Sequence, residues 1–400
     1  MSETVPLTSS TQPSREDEAD EICRHVSLIG GPLHRAARRL GFVPEESNTV
    51  LTGVVIGVSL WLALVATAVV FGAAGRLFTV PAVVIHVRLL VVIPLLFACE
   101  SLFQPRVRGF FAALLDSGVL PRSESPAFAA SVARLHRRKD SWLGDVVCLA
   151  IAAAMSFDLP IAAIGHRLAL PSAATVVRDA VPVSVMLLAG VTVFRFLLVR
   201  WAWRLVLWTL LLWNLSRCRL RLVATHPDRV GGLGGLEGVQ LQLVPLVAAV
   251  SAALAAATAA ELAIGTIAFV SIYPLAMLAL SVSALLLVMP LLPFLPVLFV
   301  CRRDGLSRYM SFATRLVVAF EEKWISPRAR LDNLLGTADL RSLADLDHSM
   351  SVVREMRFTP MGPRLILGVV LGSVLPQLPL LLFKYSLPDL AQKFLTRLLG

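Results

Sequence analysis

Val50–Ala73 reads VLTGVVIGVSLWLALVATAVVFGA, and this stretch decides the fold class. It carries no charged side chain. As a helix rising ~1.5 Å per residue it is long enough to cross ~30 Å of hydrocarbon. Its apolar residues are continuous rather than alternating, which excludes a membrane β-strand.

Outward from this stretch the pattern recurs. Further runs fall at roughly 82–104, with His86, Arg88, Pro94 and Glu100, and at 142–165, with Asp145 and Asp158. Others cover 181–200, 243–264 (with Glu261), 274–300 (cut by Pro290, Pro293 and Pro296) and 365–383. The expected fold is all-α, a polytopic transmembrane helix bundle of about seven spans. Pro376-Gln377-Leu378-Pro379 also suits a re-entrant last segment, which would leave six.

The composition agrees. Of 400 residues, 56% are hydrophobic and 16% charged, with mean hydropathy +0.76; soluble chains carry about a quarter charged residues. The net charge of +10 comes from 33 Arg and 4 Lys placed beside apolar runs. That placement points to membrane orientation and anionic headgroups on the cytoplasmic side, and away from nucleic acid. The five cysteines (Cys23, Cys99, Cys148, Cys218, Cys301) form no C-x-x-C and read as small hydrophobes.

Residues 1–49 make a polar, partly disordered tail with no cleavable leader expected, since Glu16, Asp17, Glu18, Asp20 and Glu21 precede any apolar run. Residues 50–300 hold spans 1–6 with basic loops at 105–141 and 200–242. Residues 301–363 form a helical connection with Leu306, Tyr309, Ala313, Val317, Phe320 and Trp324 in a stripe. Residues 364–400 hold the last span and an amphipathic helix. In the first loop, Ser125-Pro126 predicts a helix start and His136-Arg137-Arg138-Lys139 its end. The fourth helix continues through Trp201, Trp203, Arg204, Trp208 and Trp213, a piece expected to leave the core for the headgroups. The Ala-rich fifth span is expected at the centre of the bundle. Connections after spans 1, 3 and 5 hold few basic residues and those after 2, 4 and 6 many more. The N-terminus and long loops should therefore be cytoplasmic.

Charges inside spans are costly and usually paired. Depth along the helices predicts an outer group of Arg88 and Asp158, with Glu261 and His86 nearby. It predicts an inner group of Glu100, Asp145 and Arg195. Either group can serve only to fix helix register, or can line an ion or proton path.

Between the two hydrophobic halves lies Thr225-His226-Pro227-Asp228-Arg229-Val230-Gly231-Gly232-Leu233-Gly234-Gly235-Leu236. Gly231, Gly232 and Gly234 allow φ > 0, and their N–H groups could form an anion-binding nest, with His226, Asp228, Arg229, Arg219 and Arg221 around it. Lipid phosphate is the anion expected at this depth. The same residues also suit an ordinary turn capped by Asp228. No Lys follows the glycines, Glu237 stands where a dinucleotide loop needs its third glycine, and there is no G-x-S-x-G elbow. His226 and Asp228 are too few for a metal site. No catalytic set, metal or cofactor is expected.

The H-P-D-R-x-G-G-L-G loop behind an Arg/Trp helix resembles a group of bacterial inner-membrane proteins with no known activity. His86-Val87-Arg88, Phe320-Glu321-Glu322-Lys323-Trp324 and Asp339-Leu340-Arg341-Ser342-Leu343-Ala344-Asp345-Leu346 are also similar. The likeness covers about residues 50–400 and implies a multi-pass inner-membrane location. Gly235 departs from it, standing where a bulky residue is expected.

The function expected is a non-enzymatic membrane protein whose loop engages anionic lipid or a partner, which could be a second copy. A transporter or channel using Arg88, Asp158 and Glu261 is one alternative. The other is a membrane enzyme on a lipid-linked or phosphorylated substrate, with His226 as acid–base, Asp228 orienting it and Arg229 on phosphate.

Overall fold

A computed structural model describes residues 49–139, 141–157, 175–325 and 338–385. Among them every regular element is helical. Six stretches are long and apolar enough to cross a bilayer: Thr49–Val70, Val80–Asp116, Val183–Ser216, Gly235–Ile264, Phe269–Trp324 and Pro363–Phe383. A shorter apolar helix, Trp142–Phe157, occupies the expected third run, whose remainder, with Asp158, lies outside the described residues. So do residues 1–48 and the C-terminal amphipathic helix expected at 388–399. The chain is a multi-pass membrane helix bundle.

The helices are α1 (Thr49–Val70), α2 (Val83–Val87), α3 (Ile93–Asp116), α4 (Ser125–Lys139), α5 (Trp142–Phe157) and α6 (Thr175–Ser216). After the glycine loop come α7 (Gly235–Leu241), α8 (Val244–Ile264), α9 (Ile272–Val288), α10 (Leu295–Trp324), α11 (Ala338–Arg354) and α12 (Pro363–Val374). α4 has the predicted bounds. Many large apolar side chains stay exposed, such as Val55, Leu62 and Val69 on α1, as expected of a surface that meets lipid.

Prolines set the breaks. Pro94 has no N–H and its ring crowds the carbonyl four residues back, and the turn Arg88–Val92 before it widens to π geometry, with Ile93 N donating to Arg88 O. Pro290 and Pro293 tighten Met289–Phe294 into 3-10 geometry, and Pro376 and Pro379 do the same to Leu375–Phe383. At ~1.5 Å per α and ~2 Å per 3-10 residue, Pro363–Phe383 reaches ~36 Å, enough for a full crossing.

α8 is central, as its alanines predict. Of its apolar stretch 56% is buried, against 22–39% for the other five. It packs on α3, α12 and the segment Val80–Val92. Ser251 Oγ donates to Ser373 O at 2.5 Å, and Gln377 Nε2 donates to Ser251 O at 3.2 Å, tying α8 to the last span. α1 closes on the second span through Gly57, where a Cβ would lie 2.2 Å from Leu89 O. Only glycine allows backbones that near.

At the loop end of the bundle the second helix continues past the apolar run into the stretch expected as a basic loop. It runs to Asp116, because Phe103, Val107, Phe110, Phe111 and Leu114 recur at helical spacing and are all buried. The Arg/Trp piece of α6 packs on α3 along one face, while Trp213 stays exposed. Trp208 is fully buried, edge-on to Phe103 with ring centres 5.3 Å apart, and Trp201 donates to Leu96 O. A ring with so large an apolar area gains stability from packing on α3.

α10 extends past the apolar stretch and packs on α11. Leu306, Tyr309, Ala313 and Phe320 of its stripe are partly buried and Trp324 is buried, while Val317 is exposed. Three connections meet at this end. Arg221 N donates to Val119 O at 2.8 Å, and Arg357 N donates to Arg229 O at 2.7 Å.

Candidate functional site

The glycine loop is built around one carboxylate. Asp228 Oδ1 accepts from Val230 N at 2.9 Å, and Oδ2 accepts from Gly232 N at 3.0 Å and Gly234 N at 2.8 Å. The nest of N–H groups is therefore real, but its anion is Asp228, not a lipid phosphate. The physical reason is proximity: a side chain four residues away closes on the nest with far less entropy loss than a separate ligand. A Cβ on Gly234 would lie 2.9 Å from the Asp228 Cβ, so glycine is needed there. Gly231 and Gly232 take φ of 68° and 100°.

Arg229 also has φ 59°, the sole non-glycine residue with positive φ among the described residues. Such a conformation costs of order 1 kcal/mol and persists only where the surroundings enforce it. Here Arg229 N donates to His226 O while the next N–H reaches Asp228. The Arg229 side chain turns away to Glu355, 3.0 Å off, in a pair with both partners half exposed.

The loop is clamped from outside by the segment after α11. Arg357 Nη2 donates to Asp228 O at 3.2 Å, and Nη1 donates to Met361 O at 2.5 Å and lies 3.8 Å from Glu237. None of these long-range partners was readable from the sequence.

His226 Nδ1 lies 2.8 Å from Asp228 Oδ1 and 3.3 Å from Asp228 N. The Asp228 N–H donates to His226 Nδ1, and Nε2 has no partner among the described residues. His226 is about 39% exposed and lines a groove of about 1350 Å³. The groove lies between the end of α3, the loop, α7 and the start of α12.

The charges lining this groove sort themselves. Asp228 is held by the loop and Glu355 by Arg229, and Glu237 Oε2 lies 3.8 Å from Arg357 while its buried Oε1 has no hydrogen-bond partner. Arg106 of α3 and Arg364 of α12 remain, exposed and without an acidic partner among the described residues. Two guanidiniums with no protein acid beside them suit a phosphate or carboxylate. Arg219 and Arg221, expected at this site, are exposed but do not line the groove. Arg106 and Arg364 lie 258 positions apart in sequence, Arg106 in the basic stretch after the second run and Arg364 just before the last.

The membrane charges depart from the expected groups. Glu100 pairs with Arg204 by two contacts, 2.8 and 3.1 Å, both side chains about 8% exposed. Asp145 lies 3.8 Å from Arg200. Arg195, expected with them, instead donates to Met155 O. Depth and azimuth both differ from the expectation: Arg204 lies ~13 Å along α6 from Arg195, and at ~100° per residue the two face opposite ways, while Arg200 and Arg204 share a face. On the other side of the bundle the Arg88 guanidinium sits 5.1 Å over the Phe194 ring. The expected partner Asp158 lies outside the described residues. His86 does not join a charge cluster. Its Nδ1 accepts from Trp61 Nε1 at 2.8 Å, its Nε2 donates to Leu77 O at 2.7 Å, and Phe78 stacks on the ring. Glu261 makes no ion pair among the described residues, and neither it nor Arg88 lines the groove.

No group of three metal-binding side chains occurs among the described residues. No protein-family model, curated protein or solved structure matches the chain.

Proposed function

We propose that this protein binds an anionic headgroup in the groove at the loop end of its bundle. The reading is carried by one observation: each acidic side chain lining the groove already has a guanidinium or the loop N–H groups beside it, and Arg106 and Arg364 are left over. Arginine excess next to apolar spans supports a cytoplasmic position for this end, and the resemblance supports a bacterial inner membrane. The loop's part is architectural. It shapes one wall and presents His226.

The test is lipid binding by the full-length protein in detergent, followed by native mass spectrometry. Replacing both cations (Arg106→Ala with Arg364→Ala) is expected to weaken binding of phosphatidylglycerol at least about tenfold, since each charge-assisted contact contributes about 1.5–3 kcal/mol. Binding unchanged within twofold rejects the reading.

A second reading, an enzyme acting on the bound headgroup, is favoured by His226 beside the Asp228 carboxylate in an open groove, an arrangement suited to general acid–base chemistry. Headgroup release by the wild type and none by His226→Gln supports it. An unchanged lipid after prolonged incubation rules it out.

A further inference from the structure

The groove is longer than a small headgroup. We propose that it takes a phospholipid whose phosphate carries a ring polyol, a sugar or a cyclitol, with the phosphate on Arg106 and Arg364 and the ring lying outward along α3. This rests on the headgroup reading above and adds the chemical class.

Arg106 stands just past the second apolar run and Arg364 just before the last, so both lie at the level of the lipid phosphates. The groove does not end there. Gly109, Ala113 and Ser117 line it as well, on the same face of α3 as Arg106. At ~1.5 Å per residue Ser117 lies ~16 Å beyond Arg106. A glycerol unit is three carbons long and reaches only about 5 Å past its phosphate at bond lengths near ~1.5 Å. α7 runs back along α3 as the opposite wall: a Cβ on Gly235 would lie 2.9 Å from Phe110, and Cys99 Sγ donates to Gln242 O at 3.3 Å. Gly232 comes against Val119, which puts the glycine loop at the far end.

Two glycines keep the groove wide. Gly109 sits inside α3 and Gly238 inside α7, neither has positive φ, and nothing lies within 4 Å of where a Cβ would be at either. Glycine costs a helix stability relative to alanine, so neither packing nor backbone conformation accounts for them. Both line the groove and leave its walls bare. Charge separates a neutral ring from a second phosphate. The other guanidiniums of the groove already face carboxylates, Arg229 3.0 Å from Glu355 and Arg357 3.8 Å from Glu237. Glu237 Oε1 is buried against Gly362, where a Cβ would lie 2.2 Å from it, and is out of a ligand's reach. The Ser117 hydroxyl donates to Leu114 O and can still accept, and His226 Nε2 has no partner among the described residues. A polyol hydroxyl both donates and accepts, so it satisfies the imidazole in either tautomer.

The experiment uses the full-length protein in detergent and two lipids with matched acyl chains, phosphatidylinositol and phosphatidylglycerol, read by native mass spectrometry. Both carry one phosphate charge, and only the first has a ring. The wild type is expected to bind the inositol lipid about tenfold more tightly, the worth of two neutral hydrogen bonds. Ala113 is exposed, so Ala113→Trp fills the outer half of the groove without entering the core. In that variant the inositol lipid should fall to the level of the glycerol lipid, whose own binding stays unchanged. Equal binding of both lipids by the wild type overturns the proposal, and so does a preference that survives in Ala113→Trp. The wild-type comparison decides by itself if that variant does not purify. Loss of both lipids in the Arg106→Ala, Arg364→Ala protein keeps the headgroup reading whatever the ring does. No loss there removes the headgroup reading itself. Displacement of bound phosphatidylinositol by equimolar myo-inositol 1-phosphate assigns the free ester as ligand; retention of the lipid assigns the membrane-borne form.

Discussion

Asp228→Ala is expected to destabilise the protein by about 3 kcal/mol, seen as a lower unfolding midpoint in a denaturing-detergent titration. The carboxylate is the shared acceptor for Val230, Gly232 and Gly234 N–H and lies 2.8 Å from the His226 ring. Hydrogen bonds to a charged group contribute about 1.5–3 kcal/mol each, and water reaching this partly exposed loop replaces some of that. Losing the anion also removes what holds Arg229 at φ 59°, while the Arg357 contact to the backbone carbonyl of residue 228 remains. Asp228→Asn keeps one carbonyl oxygen and should fall between. An Asp228→Ala protein that unfolds like the wild type would show that the clamp from Arg357 alone holds the loop.

Glu100→Ala is expected to cost about 3–5 kcal/mol, because it leaves the Arg204 guanidinium buried without its counter-charge. Both side chains are about 8% exposed and joined by two contacts, so neither is rescued by water. The double replacement Glu100→Leu with Arg204→Met should recover most of the loss, since an apolar pair of similar volume removes both desolvation costs. Scanning fluorimetry in detergent reads both. A Glu100→Ala protein as stable as the wild type, or a double variant worse than the single, would contradict the burial of this pair. The comparison also separates register from function: a pair that serves only to lock α3 against α6 leaves lipid binding in the groove unchanged when both members are replaced.

Much of the architecture was legible. Apolar runs long enough to span lipid, broken by prolines and followed by arginines, locate six of the crossing helices. The Ala-rich run marks the central helix, and Ser125-Pro126 marks the start of α4. The candidate site was legible only as a loop. Gly231 and Gly232 do adopt positive φ, and Asp228 does organise the turn, yet the glycine N–H groups already hold that aspartate and the expected Arg219 and Arg221 lie elsewhere. In the Trp-rich part of α6, Trp201 and Trp208 are buried and Trp213 is exposed, since composition does not say which side of the helix packs.

The chain by itself determined what the solvent demands: backbone groups in lipid must be satisfied within a helix, so length and polarity along one dimension are enough to place the spans. Tertiary structure alone decided which charges meet. Arg204 rather than Arg195 faces Glu100, Arg357 reaches Asp228 and Glu237, and Arg106 comes to share a groove with Arg364. Those pairings depend on the rotation of each helix about its axis and on contacts between residues more than a hundred positions apart, and neither quantity is written in a local stretch of sequence.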